Sequence, residues 1–174
     1  MTVMQHIEFL TYPVVGPRSE LLWGIRIDGR DLRMYAADAT RPLWRRELED
    51  DGPQERERFV LTQHGGLYAS EITDPVRHFL GDPAPEFARP ADPALPVLGC
   101  SCGIWGCWPL LTVIDATPET VTWSAFRQPF REQWGELPMG PYVFARTAYE
   151  ESLTAPTRLA GDPLGHLYDQ PVTE

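Results

Sequence analysis

The sequence predicts an α+β domain built on a mainly antiparallel sheet with a few short helices, and three observations carry that expectation. Apolar residues alternate at period two in several successive stretches joined by short local turns. The helical patterns between them are brief and carry their own start and stop residues. The 18 prolines among 174 residues interrupt any long helix. Strands that follow one another through local turns favour this class over a doubly wound sheet, in which strand and helix alternate.

The first strand is expected between Met4 and Tyr12, where Ile7 and Phe9 alternate with His6 and Glu8 until Pro13 and Gly16-Pro17 end the pattern. Leu21, Trp23, Ile25 and Ile27 form a second period-two run that closes on Asp28-Gly29, a turn pair because glycine accepts positive φ at no steric cost. Leu32, Tyr35, Ala36 and Ala39 then change to helical spacing, with Asp31 placed as N-cap and Pro42 as the expected stop. Residues 45–58 mix both charges around Gly52-Pro53 and read as a solvated loop. A strand is expected from Phe59 to Leu61, a hairpin tip at Gln63-His64-Gly65-Gly66, and a strand at Leu67-Tyr68-Ala69.

Asp74-Pro75 through Gly81 spells a compact helix: cap, proline in the first turn, glycine past the end. Residues 82–96, rich in proline and alanine, read as an extended connection. Leu110–Ile114 and Val121–Phe126 read as strands joined by a turn containing Pro118, and Tyr142–Ala145 as another strand. Thr147 and Glu150 have capping-box spacing for a short helix ending near Leu153, and residues 155–174 read as an irregular tail. Residues 1–174 are taken as one domain, long enough to bury a core without disulfide or metal staples.

Charge and composition narrow the function classes. A net charge of −10 repels polyanions, so nucleic acid is not an expected partner. No apolar run nears the roughly 20 residues that span a bilayer, and the start lacks a basic segment followed by an apolar one. Neither a membrane partner nor export is therefore expected, and the expected location is cytoplasmic. All 15 basic residues are arginine, which agrees with GC-rich codon usage as well as with bidentate anion recognition. There is no Gly-rich phosphate loop, His-Glu-x-x-His or Gly-x-Ser-x-Gly motif, so no catalytic residue is assigned.

The chemistry concentrates in one stretch, Leu98-Gly-Cys100-Ser-Cys102-Gly-Ile-Trp-Gly-Cys107-Trp-Pro109, which holds all three cysteines. An odd number of clustered cysteines does not describe an extracellular disulfide framework, and reduced thiols are expected. A hairpin through Gly103–Gly106 would set Cys102 opposite Cys107 with Cys100 two residues back on the same face. Directly opposed β-carbons lie about 4.5–5.5 Å apart, which a modest distortion would bring within disulfide range. Zinc would be held by Cys100, Cys102 and Cys107 if the backbone kinks, with His64, His78, His166 or water as fourth ligand. Cysteine is also a small, often buried hydrophobe, so a purely architectural role is the competing reading.

A second candidate lies downstream, where Arg127 and Arg131 interleave with Phe126, Phe130 and Trp134 in a pattern suited to stacking on a flat ligand or clamping an anion. Arg127, Arg131, Trp134 and His64 are the candidate ligand-binding set. The competing reading packs the aromatics in the core and pairs the arginines with carboxylates.

Taken together, Leu98 to Gly103, Gly106-Cys107-Trp108-Pro109-Leu110, Val121-Thr122-Trp123, Phe126-Arg127-Gln128-Pro129, Arg131, Trp134, Tyr142-Val143-Phe144 and Tyr149, with Ile27 to Leu32 upstream, resemble a group of uncharacterised bacterial proteins. The resemblance covers most of the chain and implies a single domain. It brings no established activity, ligand or catalytic residue. Three readings stand open: a non-enzymatic binding or interaction domain with an architectural thiol hairpin, a zinc-binding protein, and an enzyme whose cleft uses His64, Arg127 and Arg131.

Overall fold

The computed structural model describes residues 3–14, 20–89 and 91–168, and it is α+β with mostly antiparallel sheets. In chain order the strands are β1 (Ile7–Pro13), β2 (Leu21–Ile27), β3 (Arg30–Asp31), β4 (His64–Gly65), β5 (Leu67–Tyr68), β6 (Leu95–Cys100), β7 (Leu110–Ala116), β8 (Thr120–Arg127), β9 (Tyr142–Ala145) and β10 (Thr157–Arg158). The helices are α1 (Leu32–Glu47), α2 (Pro53–Thr62), α3 (Pro75–Phe79), α4 (Arg146–Thr154) and α5 (Gly165–Tyr168). One sheet runs β10-β1-β2-β3 with β5 also on β2, and the other runs β4-β6-β7-β8-β9. Only the β1–β10 ladder among these is parallel.

The two sheets share one core. Phe9 and Trp23 from the first meet Trp123 and Phe144 from the second, with Phe79 of α3 and Tyr149 of α4 between them. Phe79 stacks on Trp123 at 6.4 Å, and the Trp123 indole donates to the Tyr149 hydroxyl at 3.0 Å. That bond lets a large polar-edged ring be fully buried without an orphaned N–H. The expected strands at β1, β2 and β7 to β9, the α1 cap and the α3 helix all form; Asp31 Oδ1 accepts from Arg33 N at 2.9 Å. Gly16-Pro17 lies outside the described residues.

Five expectations are corrected. Helix α1 continues through Pro42 to Glu47, because the extra turn buries Trp44 against Val60 and lets Arg41 bind Glu57 through both carboxylate oxygens. Residues 53–62 form α2 rather than a loop and strand: Gly52-Pro53 starts a helix here, proline being suited to a first turn whose N–H is unpaired anyway. Residues 82–96 contain the start of β6 at Leu95. Helix α4 begins at Arg146, whose N–H bonds Glu119 O at 2.9 Å, so Thr147 lies inside the helix and no capping box forms. Residues 155–168 are not irregular: β10 pairs with β1, and Asp162 and Tyr168 seal over Arg33.

Arg33 is a heavily bonded buried cation. It is 4% exposed and donates to Asp31 at 2.8 and 3.0 Å, to Asp162 at 2.7 and 3.0 Å and to Tyr168 Oη at 3.3 Å. The Tyr168 hydroxyl in turn donates to His64 O at 2.6 Å. A buried guanidinium is tolerable only when its donors are met in this way. The C-terminal segment is thereby fastened behind β4, the strand that flanks the cysteine turn.

Candidate metal centre

The cysteine turn is an anchored loop rather than the expected simple hairpin. Leu98 pairs with Leu110, β6 stops at Cys100 and β7 begins at Leu110, so Cys102 and Cys107 lie outside the ladder. Two local features end the ladder: Pro109 has no N–H to donate, and Gly103 turns the chain at φ +93°. A short 3-10 turn over Trp105–Cys107 brings the chain back.

Both ends of the loop are held by groups outside it. At the entry, Ser101 N donates to Gln63 O at 3.3 Å. At the exit, the Trp108 indole donates to Gln63 Oε1 at 3.1 Å, His64 Nδ1 donates to Trp108 O at 3.2 Å, and Gln128 Nε2 donates to Pro109 O at 2.9 Å. In between, Trp105 packs edge-on against Phe87 with centroids 4.7 Å apart. Gly99 admits it: a Cβ at that position would lie 3.0 Å from Trp105 Cα.

This scaffold turns three thiols toward one point. The Sγ atoms of Cys100, Cys102 and Cys107 all lie within 4.8 Å of one another. Tetrahedral zinc with bonds of about 2.3 Å sets its sulfurs about 3.8 Å apart, so closing on an ion shortens any separation by at most about 1 Å. Cys100 is half-buried and the other two are exposed, and no disulfide joins them. Burial pushes the Cys100 thiol up to about 11, against the pull of the Cys102 N–H that reaches its sulfur at 3.5 Å. Hydrogen bonding to the Ile104 backbone, then to the Cys100 thiol, lowers Cys102. Among the described residues no histidine or carboxylate joins this cluster.

None of the histidines considered as a fourth ligand joins the cluster, and two of them are engaged elsewhere. His64 is 3% exposed, on β4 opposite Cys100 in register, and is not at a hairpin tip. Burial holds its imidazole down to about 4, despite the Trp108 and Gly99 carbonyls. The neutral ring that results suits its role as a donor to Trp108 O. His78 is buried between Phe79 and Phe87 with Nε2 on Pro96 O at 2.9 Å, and His166 sits on α5.

The structure separates the second candidate set. Arg127 pairs with Asp92. Arg131 pairs with Glu47 through Nε at 2.9 and 3.1 Å, and its Cζ lies 5.5, 5.2 and 5.9 Å from the ring centroids of Trp44, Trp108 and Trp134. Trp134 completes that cluster by donating to Glu47 Oε1 at 2.8 Å. The anion that Arg131 holds is thus the protein's own carboxylate, and His64 is sealed beneath the surface. Arg127, Arg131 and His64 each bind a different partner within the chain: Asp92, Glu47 and Trp108 O.

Gln63, Trp44 and Glu47 were not among the sequence candidates. Gln63 is the hub. Besides the two indoles it accepts from, Trp44 and Trp108, its amide donates to Thr40 Oγ1 at 2.8 Å and Val60 O at 3.0 Å. Only its position at the end of an unrecognised helix would have marked it, since partners 19 to 45 residues distant leave no local pattern. Comparison with protein-family models, curated proteins and solved structures finds no match. The fold and site therefore define the class on their own: an α+β domain presenting an anchored, solvent-facing cluster of three thiols.

Proposed function

We propose that this protein binds a thiophilic metal ion, zinc in the first instance, through Cys100, Cys102 and Cys107. The observation that carries the reading is the convergence of three sulfurs from an eight-residue span, each within 4.8 Å of the others. Soft thiolate donors select zinc or monovalent copper over magnesium or calcium. Three protein ligands leave the fourth tetrahedral position to water or an incoming group, as in zinc sites that exchange ligands. The binding is non-enzymatic on this reading. Free thiols fit a reducing compartment, hence the cytoplasm, and the net charge of −10 favours small-molecule or protein partners over nucleic acid. No helix of the described residues is long and apolar enough to cross a membrane.

The test is elemental analysis and Zn²⁺ titration of reduced protein purified without a metal-affinity step, alongside Cys100→Ser, Cys102→Ser and Cys107→Ser. The expected result is one zinc per chain, lost or greatly weakened in each variant while the far-UV spectrum is unchanged. Metal-free protein that takes up no Zn²⁺ would overturn the reading and return the thiols to an architectural role.

A further inference from the structure

The geometry points to a site that passes its metal on rather than one that staples the fold, an inference that rests on the metal-binding reading above. Two independent features lead there.

The first is that protein groups alone fasten the loop at both ends and in its middle. The loop is fastened at the entry by Ser101 to Gln63 and at the exit by Trp108 to Gln63 and His64 and by Pro109 to Gln128. Its middle is pinned by Trp105 against Phe87. Structural zinc sites in small domains supply folding free energy that nothing else supplies, and those domains unfold without metal. Here the core is complete without the thiols: none of the three is among the buried apolar residues.

The second is that the ligands face outward. Cys102 and Cys107 are exposed, and the residue between the two halves of the turn, Ile104, is 68% exposed. A closed structural site surrounds its ion with four protein ligands; three sulfurs, two of them on exposed residues, leave one coordination position open to an entering donor. A thiolate is the entering donor that competes best for a thiophilic ion. The acceptor is therefore a molecule that presents paired thiols, whether a small dithiol or a cysteine pair on another protein.

Transfer is a ligand exchange with no change in oxidation state. The first acceptor sulfur donates a lone pair to zinc in place of the bound water, and one exposed cysteine, Cys102 or Cys107, leaves. The acceptor's proton goes to the departing cysteine thiolate. The second acceptor thiol repeats the exchange, and the last cysteine released takes its proton from solvent. Cys100, half-buried and nearest the β6 ladder, is the natural last ligand to leave.

The experiment uses the reduced full chain loaded with one Zn²⁺ or with Co²⁺, whose thiolate charge-transfer absorption reports the bound state, mixed rapidly with excess dithiothreitol or with EDTA. The expected result is release that is first order in the dithiol: the rate rises about tenfold when dithiothreitol rises tenfold, as an entering ligand at an open position requires. The metal-free protein is expected to keep a cooperative thermal unfolding transition. A release rate independent of dithiol concentration, or loss of cooperative unfolding in the metal-free chain, would overturn the transfer inference and leave a metal-binding staple. Failure to load either ion would instead overturn the metal-binding reading itself.

Discussion

Replacing Gln63 with leucine isolates what holds the thiol loop in place. The side chain is 5% exposed and makes four hydrogen bonds, two as acceptor from the indoles of Trp44 and Trp108 and two as donor to Thr40 Oγ1 and Val60 O. Indole nitrogen only donates, so the amide orientation is fixed by its partners. Leucine fills similar volume and satisfies none of them. The Trp44 N–H, in a buried residue, loses its partner outright, at about 1–3 kcal/mol; the half-buried Trp108 N–H recovers part of its loss from water. The two donor bonds add about 1 kcal/mol each, partly offset by burying leucine. The expected loss is about 2–4 kcal/mol, a large fraction of a domain's stability. Urea unfolding followed by tryptophan fluorescence measures it, with the slope expected to stay unchanged. In the Gln63→Leu background, Trp108→Phe should cost at least about 1 kcal/mol less than in the wild type, because its bond is already gone. Zinc affinity should fall about 10–100-fold, as expected when a group that orients a ligand loop is removed. A destabilisation below about 1 kcal/mol, or an additive double-mutant cycle, would refute the claim that Gln63 ties the loop to α1 and α2.

Arg33→Met should destabilise by about 3–5 kcal/mol in the same urea assay, because it leaves the buried Asp31 and the half-buried Asp162 together without a cation. A loss under about 1 kcal/mol would show that water reaches these carboxylates freely. Pro42→Ala should stabilise by about 1–2 kcal/mol, since alanine restores an N–H inside α1 and its greater freedom in the unfolded chain offsets only part of that gain; an unchanged or lowered melting temperature would count against it. Stability should also fall as pH drops from about 6.5 to about 4. Within that window the unfolded chain binds a proton at His64 that the folded protein, holding this imidazole at about 4, does not. His64 alone contributes a loss of up to about 3 kcal/mol, and burial lowers His78 in the same direction. Urea midpoints at pH 8, 6, 5 and 4 that do not decrease would contradict the burial of both rings.

The parts of the fold legible in the sequence are those written in local patterns. Period two from Leu21 to Ile27 gives β2, and Asp74-Pro75 with Gly81 brackets α3, because strand alternation and helix caps act over a few residues. What the sequence hid depends on distant partners. Pro42 reads as a stop until Trp44 is seen buried against Val60, and Gly52-Pro53 reads as a break until Arg41 meets Glu57 across the two helices. Tertiary contacts outweighed propensity in both places. The site divides in the same way. The three cysteines stood out as a cluster, and they do converge. Their geometry did not follow from strand register, because Gly103 and Pro109 take them off the ladder. The Arg127, Arg131 and Trp134 stretch looked like a binding face because a sequence shows charges without their counter-ions, and Asp92 and Glu47 lie 35 and 84 residues away.

The Arg33 fork has a consequence for how the chain matures. Its two carboxylate partners are Asp31, two residues back, and Asp162, 129 residues on. Until residues 157–168 dock, the guanidinium has only one of its two carboxylate partners and β1 lacks its parallel neighbour. The first sheet is complete only when residues 157–158 dock, and a polypeptide cut short of Thr157 would leave that edge of β1 without a partner strand.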